Sequence, residues 1–418
     1  MTFRLKHAFY YGWIIVVIFL IVQAVMMGIN SSFTVFLTHI ESAFSLSRTT
    51  TSAVSSVSWA LIPLTAFAGG WALDRYGPRI VLLFMGLVTG LSLVLTSRTT
   101  EAWQLFITYS LLFPLGFGAV YAIAIATISR WFDKKRGVAV GIAGSGEGIG
   151  SVVLVPLSTL LIARFDWKTA YLILGFIAWA LVIPLSIIAK KDPEEVGLLP
   201  DGLAKKTSAT VSAGTGGDNS ARSGLTLAEI IKTRSFWCVA GIWFLFAFSM
   251  LMLITHIVPH LTGIGISEGE AALVVGVFGV ARAVGMIGLG VVADRAGRKK
   301  IAVISTLFQA GAILSMVWLR EPWMFYLFAV VYGLANGGLF SGTTPLLGDT
   351  FGLDRLGAVL GLLEIGWGAG GAVGPLIGGV FYDVYGSYTL AFVLGAAATV
   401  LIIFLVIALR PEVERNFK

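Results

Sequence analysis

Charged clusters divide this chain into apolar stretches, and those stretches recur twelve times, at approximately 10–38, 50–73, 80–97, 102–129, 137–163, 169–189, 235–263, 267–293, 301–319, 322–348, 357–382 and 388–409. Each reaches or approaches the roughly 20 apolar residues that a helix needs to cross the hydrocarbon core of a bilayer. Lipid offers no partner to an open backbone amide, so each stretch is committed to helix. Twelve crossings take about 240 residues at that length, and what remains of the 418 is connection. There is no room for a large soluble catalytic or sensor domain. Composition agrees: only 12% of residues are charged, against about a quarter in soluble domains. The apolar run after Arg4 and Lys6 is too long for a signal-peptide core and is expected to be retained as the first span. The single cysteine, Cys238, excludes a disulfide framework. With no Cys/His cluster beside it, neither a metal nor another cofactor is expected.

The one long polar stretch, 190–234, falls between the sixth and seventh segments. Its Ser/Thr/Gly/Asp run from Lys205 to Gly224 reads as a flexible linker, with Leu225 to Lys232 as a short amphipathic helix. The expected organisation is a six-helix bundle over 1–189, a cytoplasmic linker over 190–234 and a second bundle over 235–418. Alternating the loops between two sides puts 23 of the 29 basic residues on the side holding both termini and the linker. Arg48, Arg98, Arg164, Lys168 and Arg320 fall on the other side, and Arg282 on neither. The positive-inside rule then makes both termini cytoplasmic, in a plasma or inner membrane. The net charge of +7 is thereby accounted for by topology, and no nucleic-acid partner is expected.

An offset of 220 residues aligns the two halves without gaps over about a hundred positions. It superposes Asp74 on Asp294, Arg75 on Arg295, Glu101 on Glu321, Trp103 on Trp323 and a series of glycines that includes Gly70 on Gly290. Because six is even, the second half enters the membrane from the same side as the first. The repeats are parallel and related by an axis along the membrane normal, a geometry that encloses a central cavity between two bundles able to rock. The segments Gly70-Trp-Ala-Leu-Asp74-Arg75-Tyr-Gly77-Pro78-Arg79 and Gly290-Val-Val-Ala-Asp294-Arg295-Ala-Gly297-Arg298-Lys299 resemble the paired loops of the major facilitator superfamily. The resemblance covers essentially the whole chain. It implies an all-α membrane protein, with twelve transmembrane helices as two parallel six-helix repeats in the major facilitator fold. The first copy departs from the pattern at Pro78, where a basic residue is usual.

Asp74 and Asp294 sit at the C-terminal ends of their helices, where the macrodipole disfavours an anion. Each needs a positive partner, and the nearest candidates across the pseudo-twofold are the helix starts near Gly357 and Gly137. We expect a cytoplasmic gate from Gly70, Asp74, Arg75, Arg79, Gly290, Asp294, Arg295 and Arg298, with small residues permitting close helix approach.

Three ionisable residues other than histidine fall inside spans: Glu147 in the fifth, Arg282 in the eighth and Glu364 in the eleventh. An arginine at a helix centre costs about 2.5–3.5 kcal/mol on insertion scales. Arg282 precedes Ala293 by eleven residues, which at about 1.5 Å per residue places it about 16 Å deep. It should face a wet cavity or an acid: either a permanent ion pair with Glu147 or Glu364, or a site for a substrate anion, which a guanidinium grips in bidentate geometry. Asn30, Ser31, Tyr121, Tyr332 and Asn336 are the polar mid-span residues that could complete such a site. His256 and His260, at i, i+4 near the outer end of the seventh span with Glu268 and Glu270 close in sequence, suggest a pH-sensitive outer gate. As a metal site their ligand set is incomplete.

The run Trp131-Phe132-Asp133-Lys134-Lys135-Arg136-Gly137, continuing through small residues to Gly150, resembles the monocarboxylate transporter signature, and Tyr11-Gly12-Trp13 is a fragment of that family's first-span motif. The resemblance implies that the eighth-span arginine, here Arg282, holds the substrate carboxylate. The family's acid one turn earlier is here Phe278, and its first-span lysine is replaced near Ser31. Proton coupling would therefore fall to Glu364, with Glu147 as the alternative, since arginine does not release its proton. The sequence reads as a secondary active transporter that carries a small monocarboxylate of the lactate or pyruvate type with a proton, by alternating access. Its partners are the small organic acid anion, the proton and the bilayer, and one chain is expected to be the working unit. An organic-anion exchanger or efflux carrier of the same fold is the alternative within transporters. No nucleophile-base pair, metal set or phosphate loop supports an enzyme, and no soluble sensor domain supports a receptor.

Overall fold

The computed structural model describes residues 10–132, 135–202, 227–351 and 356–409. Nine helices among the described residues are long and apolar enough to cross a membrane. The first span is Tyr11–Phe44. The second and third are the two arms of one long helix, Arg48–Ser97, bent at Gly77. The fourth is Ala102–Trp131, the fifth Val138–Arg164 and the sixth Trp167–Ile188. In the second half the helices at the positions of the seventh to twelfth spans run Arg234–Gly263, Glu268–Ala296, Arg298–Ser315, Pro322–Phe351, Leu356–Tyr385 and Thr389–Ala408, Arg298–Ser315 and Leu356–Tyr385 standing outside those nine.

Local chemistry sets the helix ends. Ser47, Thr233 and Ser267 each accept a hydrogen bond from the backbone three residues on, capping the second, seventh and eighth spans. The turns after the second and eighth spans pass through Gly77 at φ 78° and Gly297 at φ 103°. Only glycine enters that region without strain, so the glycine of the repeated loop is a backbone requirement in both halves. The fifth span is interrupted at Ser145, between helices Arg136–Gly144 and Gly146–Arg164, immediately before Glu147.

The halves meet chiefly along two helix pairs, the second span against the eleventh and the fifth against the eighth, with a smaller contact of the first against the seventh. Both main contacts depend on a missing side chain. A Cβ at Gly148 would come within 2.6 Å of the Gly279 carbonyl oxygen, and one at Gly368 within 2.4 Å of the Pro63 ring and 3.1 Å of the Trp59 carbonyl oxygen. These are the same contact in the two halves, since Gly148 and Gly368, like Trp59 and Gly279, stand 220 residues apart. The repeat offset therefore describes the packing between bundles as well as the bundles themselves.

The two pairs splay toward one end of the molecule. The second and eleventh spans touch from Arg48 and Gly379 to Pro63 and Gly368, then part, leaving Phe67 82% and Ile365 57% exposed. The fifth and eighth separate beyond Gly148, where Gly144 and Gly141 have open space beside them. The molecule is thus closed at the end holding Arg48 and Asp383, and open at the end holding Asp74.

Candidate functional site

A cavity of about 190 Å³ lies between the halves where the helix pairs part. Arg282, Glu147 and Glu364 all line it, with Asn30, Ser31 and Tyr121 on the side of the first half. Arg282 is 6% exposed, and its Nη1 donates to Glu147 Oε1 across the boundary between the halves. Its Nε lacks a hydrogen-bond partner, and its guanidinium carbon stands 6.0 Å from the centre of the Phe340 ring. Of the two acids, then, the fifth-span Glu147 takes the arginine, and Glu364 stands in the same cavity without that contact. Tyr121 is within electrostatic reach of all three charges. One turn beyond Glu147, the Ser151 hydroxyl donates to Ser31 Oγ at 3.0 Å, tying the fifth span to the first.

Tyr332 and Asn336 lie elsewhere. Both are fully buried and absent from the cavity wall. Tyr332 stacks between Phe278 and Phe328, at 5.3 and 5.4 Å between ring centres. Their polarity at mid-span suggested a cavity face, but the tenth span turns that face into its own bundle, against the eighth. His256 donates from Nε2 to the Pro375 carbonyl at 2.8 Å. His260 packs edge-on to Phe392 and Tyr388. Neither pairs with Glu268, whose partner is His39 at 3.3 Å, so the pair reads as helix packing.

At the open end, Asp74 is held within its own half. Arg130 Nη2 donates to its carboxylate at 3.1 Å, and Lys191 Nζ to its backbone carbonyl at 2.8 Å. Gly70 faces open space, Arg75 stacks over Trp71 and Tyr76, and Arg79 and Arg295 are exposed. Gly290 faces Ser341 at 3.5 Å, and Arg298 is half-buried. The side chain of Asp294, the surroundings of Gly137 and Gly357, and the linker over 203–226 lie outside the described residues. The partner of the Asp74 carboxylate here is Arg130 of its own half.

The closed end carries contacts that sequence reading missed. The Asp383 carboxylate accepts from the backbone amides of Arg48 and Thr49, at 2.9 and 2.8 Å. Arg48 pairs through Nε with Glu41 at 2.8 Å, and its guanidinium lies over the Tyr382 ring at 4.7 Å. The Thr34 hydroxyl donates to the Thr255 carbonyl at 3.1 Å, from first span to seventh. Apart from the Arg48–Glu41 pair, which lies within the first half, these contacts and that of His39 with Glu268 join the two halves. The only signal for them was Ser47 as a helix cap, which leaves the next amides seeking an anion.

Comparison with known proteins agrees with this architecture. The sequence profile of the Major Facilitator Superfamily matches residues 19–264 and 257–418. Monocarboxylate transporter 12 of Xenopus laevis is 26% identical over 399 residues, covering 92% of this chain and 85% of that protein. Monocarboxylate transporter 12-B of Danio rerio is 27% identical, covering 98% and 89%. The Agnestins efflux protein AgnL12 of Paecilomyces divaricatus is 25% identical, covering 91% and 83%. Among solved structures, a bacterial homolog to the human lysosomal transporter Spinster, in an inward-facing and unoccupied conformation, superposes with a TM-score of 0.72 at 14% identity, covering 96% of both chains. That likeness concerns fold alone. The match to the superfamily spans both halves and the connection between them, and this chain belongs to the Major Facilitator Superfamily of membrane transporters, with the monocarboxylate transporters among its relatives.

Proposed function

We propose that the chain carries a monocarboxylate together with a proton by alternating access, with Arg282 as the seat of the carboxylate. The observation that carries this reading is the ion pair of Arg282 and Glu147, set inside a cavity that also contains Glu364. With all three ionised, the cavity holds one net negative charge. A monoanion alone would double it in a low-dielectric space, which is costly. A monoanion entering with one proton leaves it unchanged, whereas a dianion needs two.

The same pair supplies a coupling step. An incoming carboxylate that takes Arg282 leaves Glu147 without its cation, and a proton carried on Glu147 restores the charge balance of the cavity. Glu364, which has no such partner to lose, is the alternative proton carrier. Asn30, Ser31 and Tyr121 supply hydrogen-bonding groups for the rest of the substrate's polar end. Tyr332 and Asn336 support the wall from behind.

In this reading residues 1–189 and 235–418 rock as two bodies joined by 190–234. A single chain is the working unit, and both termini and the open end face the cytoplasm of a plasma or inner membrane, as the basic loops favour. The paired loops at Asp74 and Asp294 act as the gate in the opposite conformation, when their helices converge. A second reading, an anion exchanger or efflux carrier, is favoured by the relative named as an efflux protein.

Uptake of labelled lactate into proteoliposomes under an imposed pH gradient tests the proposal, with Arg282→Gln, Glu147→Gln and Glu364→Gln compared to wild type. Gradient-driven uptake that is lost in Arg282→Gln is expected. Robust exchange against internal anion without gradient-driven uptake would favour the exchanger, and normal transport by Arg282→Gln would remove the arginine from the site.

A further inference from the structure

Building on the carboxylate-carrier reading, we infer that the preferred cargo is a monocarboxylate bearing an aromatic ring, its carboxylate on Arg282 and its ring among the aromatic side chains of the same cavity. Among the rings that line that cavity are Trp59 and Phe117 from the first half, and Trp243, Phe278, Phe340 and Trp367 from the second. Several of them are in ring contact with one another. Trp59 meets Phe117 edge to face at 6.4 Å. Trp243 meets Trp367 edge to face at 5.9 Å and Phe340 at 6.5 Å. Phe340 is also the ring beneath the Arg282 guanidinium, so the cationic and aromatic parts of the site are contiguous.

The positions of the tryptophans argue for a ligand. Membrane tryptophans concentrate at the interfaces, where the indole spans apolar and polar surroundings. Trp59, Trp243 and Trp367 instead stand more than two turns from either end of their helices and border the cavity. Leu, Val and Ala would close a wall there at lower cost in shape. Rings arranged edge to face offer both faces and edges to a further ring, the arrangement that aromatic groups prefer. A three-carbon acid presents one methyl group to these walls and leaves most of them against water. A ring fills the space and removes apolar surface on both sides of the contact from solvent.

Purified protein in detergent micelles separates the possibilities by calorimetric titration at one pH with 3-phenylpropanoate, lactate and 3-phenylpropanol. The ring acid is expected to bind about 10- to 100-fold more tightly than lactate, the factor for burying a Phe-sized group. Trp367→Ala should weaken the ring acid by about 10-fold with lactate unchanged, while Trp367→Phe, which keeps a ring and the fold, should retain most of the affinity. Lactate binding as tightly as the ring acid, or Trp367→Ala weakening both equally, would overturn the aromatic-cargo inference and leave the carboxylate reading standing. Phenylpropanol binding as tightly as the ring acid, with Arg282→Gln indifferent, would overturn the carboxylate reading instead. Binding of none of the three would overturn both.

Discussion

Replacing Asp383 with alanine should open the closed end of the molecule. Its carboxylate accepts the Arg48 and Thr49 amides at 2.9 and 2.8 Å, and so joins the eleventh span to the start of the second, where the helix dipole favours an anion. Two buried charge-assisted bonds would each contribute about 1.5–3 kcal/mol. Asp383 is exposed, so a helix-capping scale of about 0.5–2 kcal/mol applies. At about 1.4 kcal/mol per factor of ten, the ratio of molecules closed at this end to molecules open there should fall by about 2- to 30-fold in the variant. The neighbouring His39 and Glu268 are partly exposed, at 31% and 42%, and such a pair contributes less than about 1 kcal/mol, so it does not mask the change. Spin labels at Ala43 and Tyr385, in a Cys238→Ser background, report the separation of the two halves at this end. The longer-distance population should grow by the stated factor. Asp383→Asn, which keeps a neutral acceptor, should give a smaller shift in the same direction. An unchanged distance distribution in Asp383→Ala, or a shift to shorter distances, would refute the latch.

Other substitutions test other parts of the mechanism. Gly368→Ala places a methyl group against Pro63 and Trp59, and at an overpacking cost of about 1–3 kcal/mol it should lower the midpoint of thermal unfolding in detergent or separate the halves, read with the same labels. Gly141→Ala, beside open space, should leave both measurements unchanged. Glu147→Gln leaves Arg282 without a fixed anion, so carboxylate binding should tighten while uptake loses its dependence on the pH gradient, measured in proteoliposomes. Asp74→Asn removes an exposed contact to Arg130 and should change stability by less than about 1 kcal/mol. If the Asp74 loop is a gate in the other conformation, the same change should raise thiol-label reactivity at the end holding Asp74; unchanged reactivity would remove the gate.

Much of this architecture was legible because a bilayer writes its demands locally. Apolar run length and the Asp-Arg-x-Gly loops are properties of short stretches, and each predicted an element that the fold contains. The 220-residue offset carried further than the bundles, since it also relates the close approach of Gly148 to Gly279 and of Gly368 to Trp59. Arg282 could be placed at mid-depth by counting residues. The same count could not turn the tenth span, so Tyr332 and Asn336 were expected in a cavity that they only back.

What the sequence determined alone is the number of passes, their parallel repeat and the presence of three charges where lipid cannot accept them. The tertiary structure decided which acid meets the arginine, because Glu147 lies 135 residues from Arg282 and only the crossing of the fifth and eighth spans brings them together. It decided the closed-end latch for the same reason, Asp383 being 335 residues from Arg48. Hydropathy and charge act along the chain and can be read from it. Ion pairing and aromatic lining depend on helix rotation and on crossing points fixed by side-chain packing, and these exist only once the helices have met.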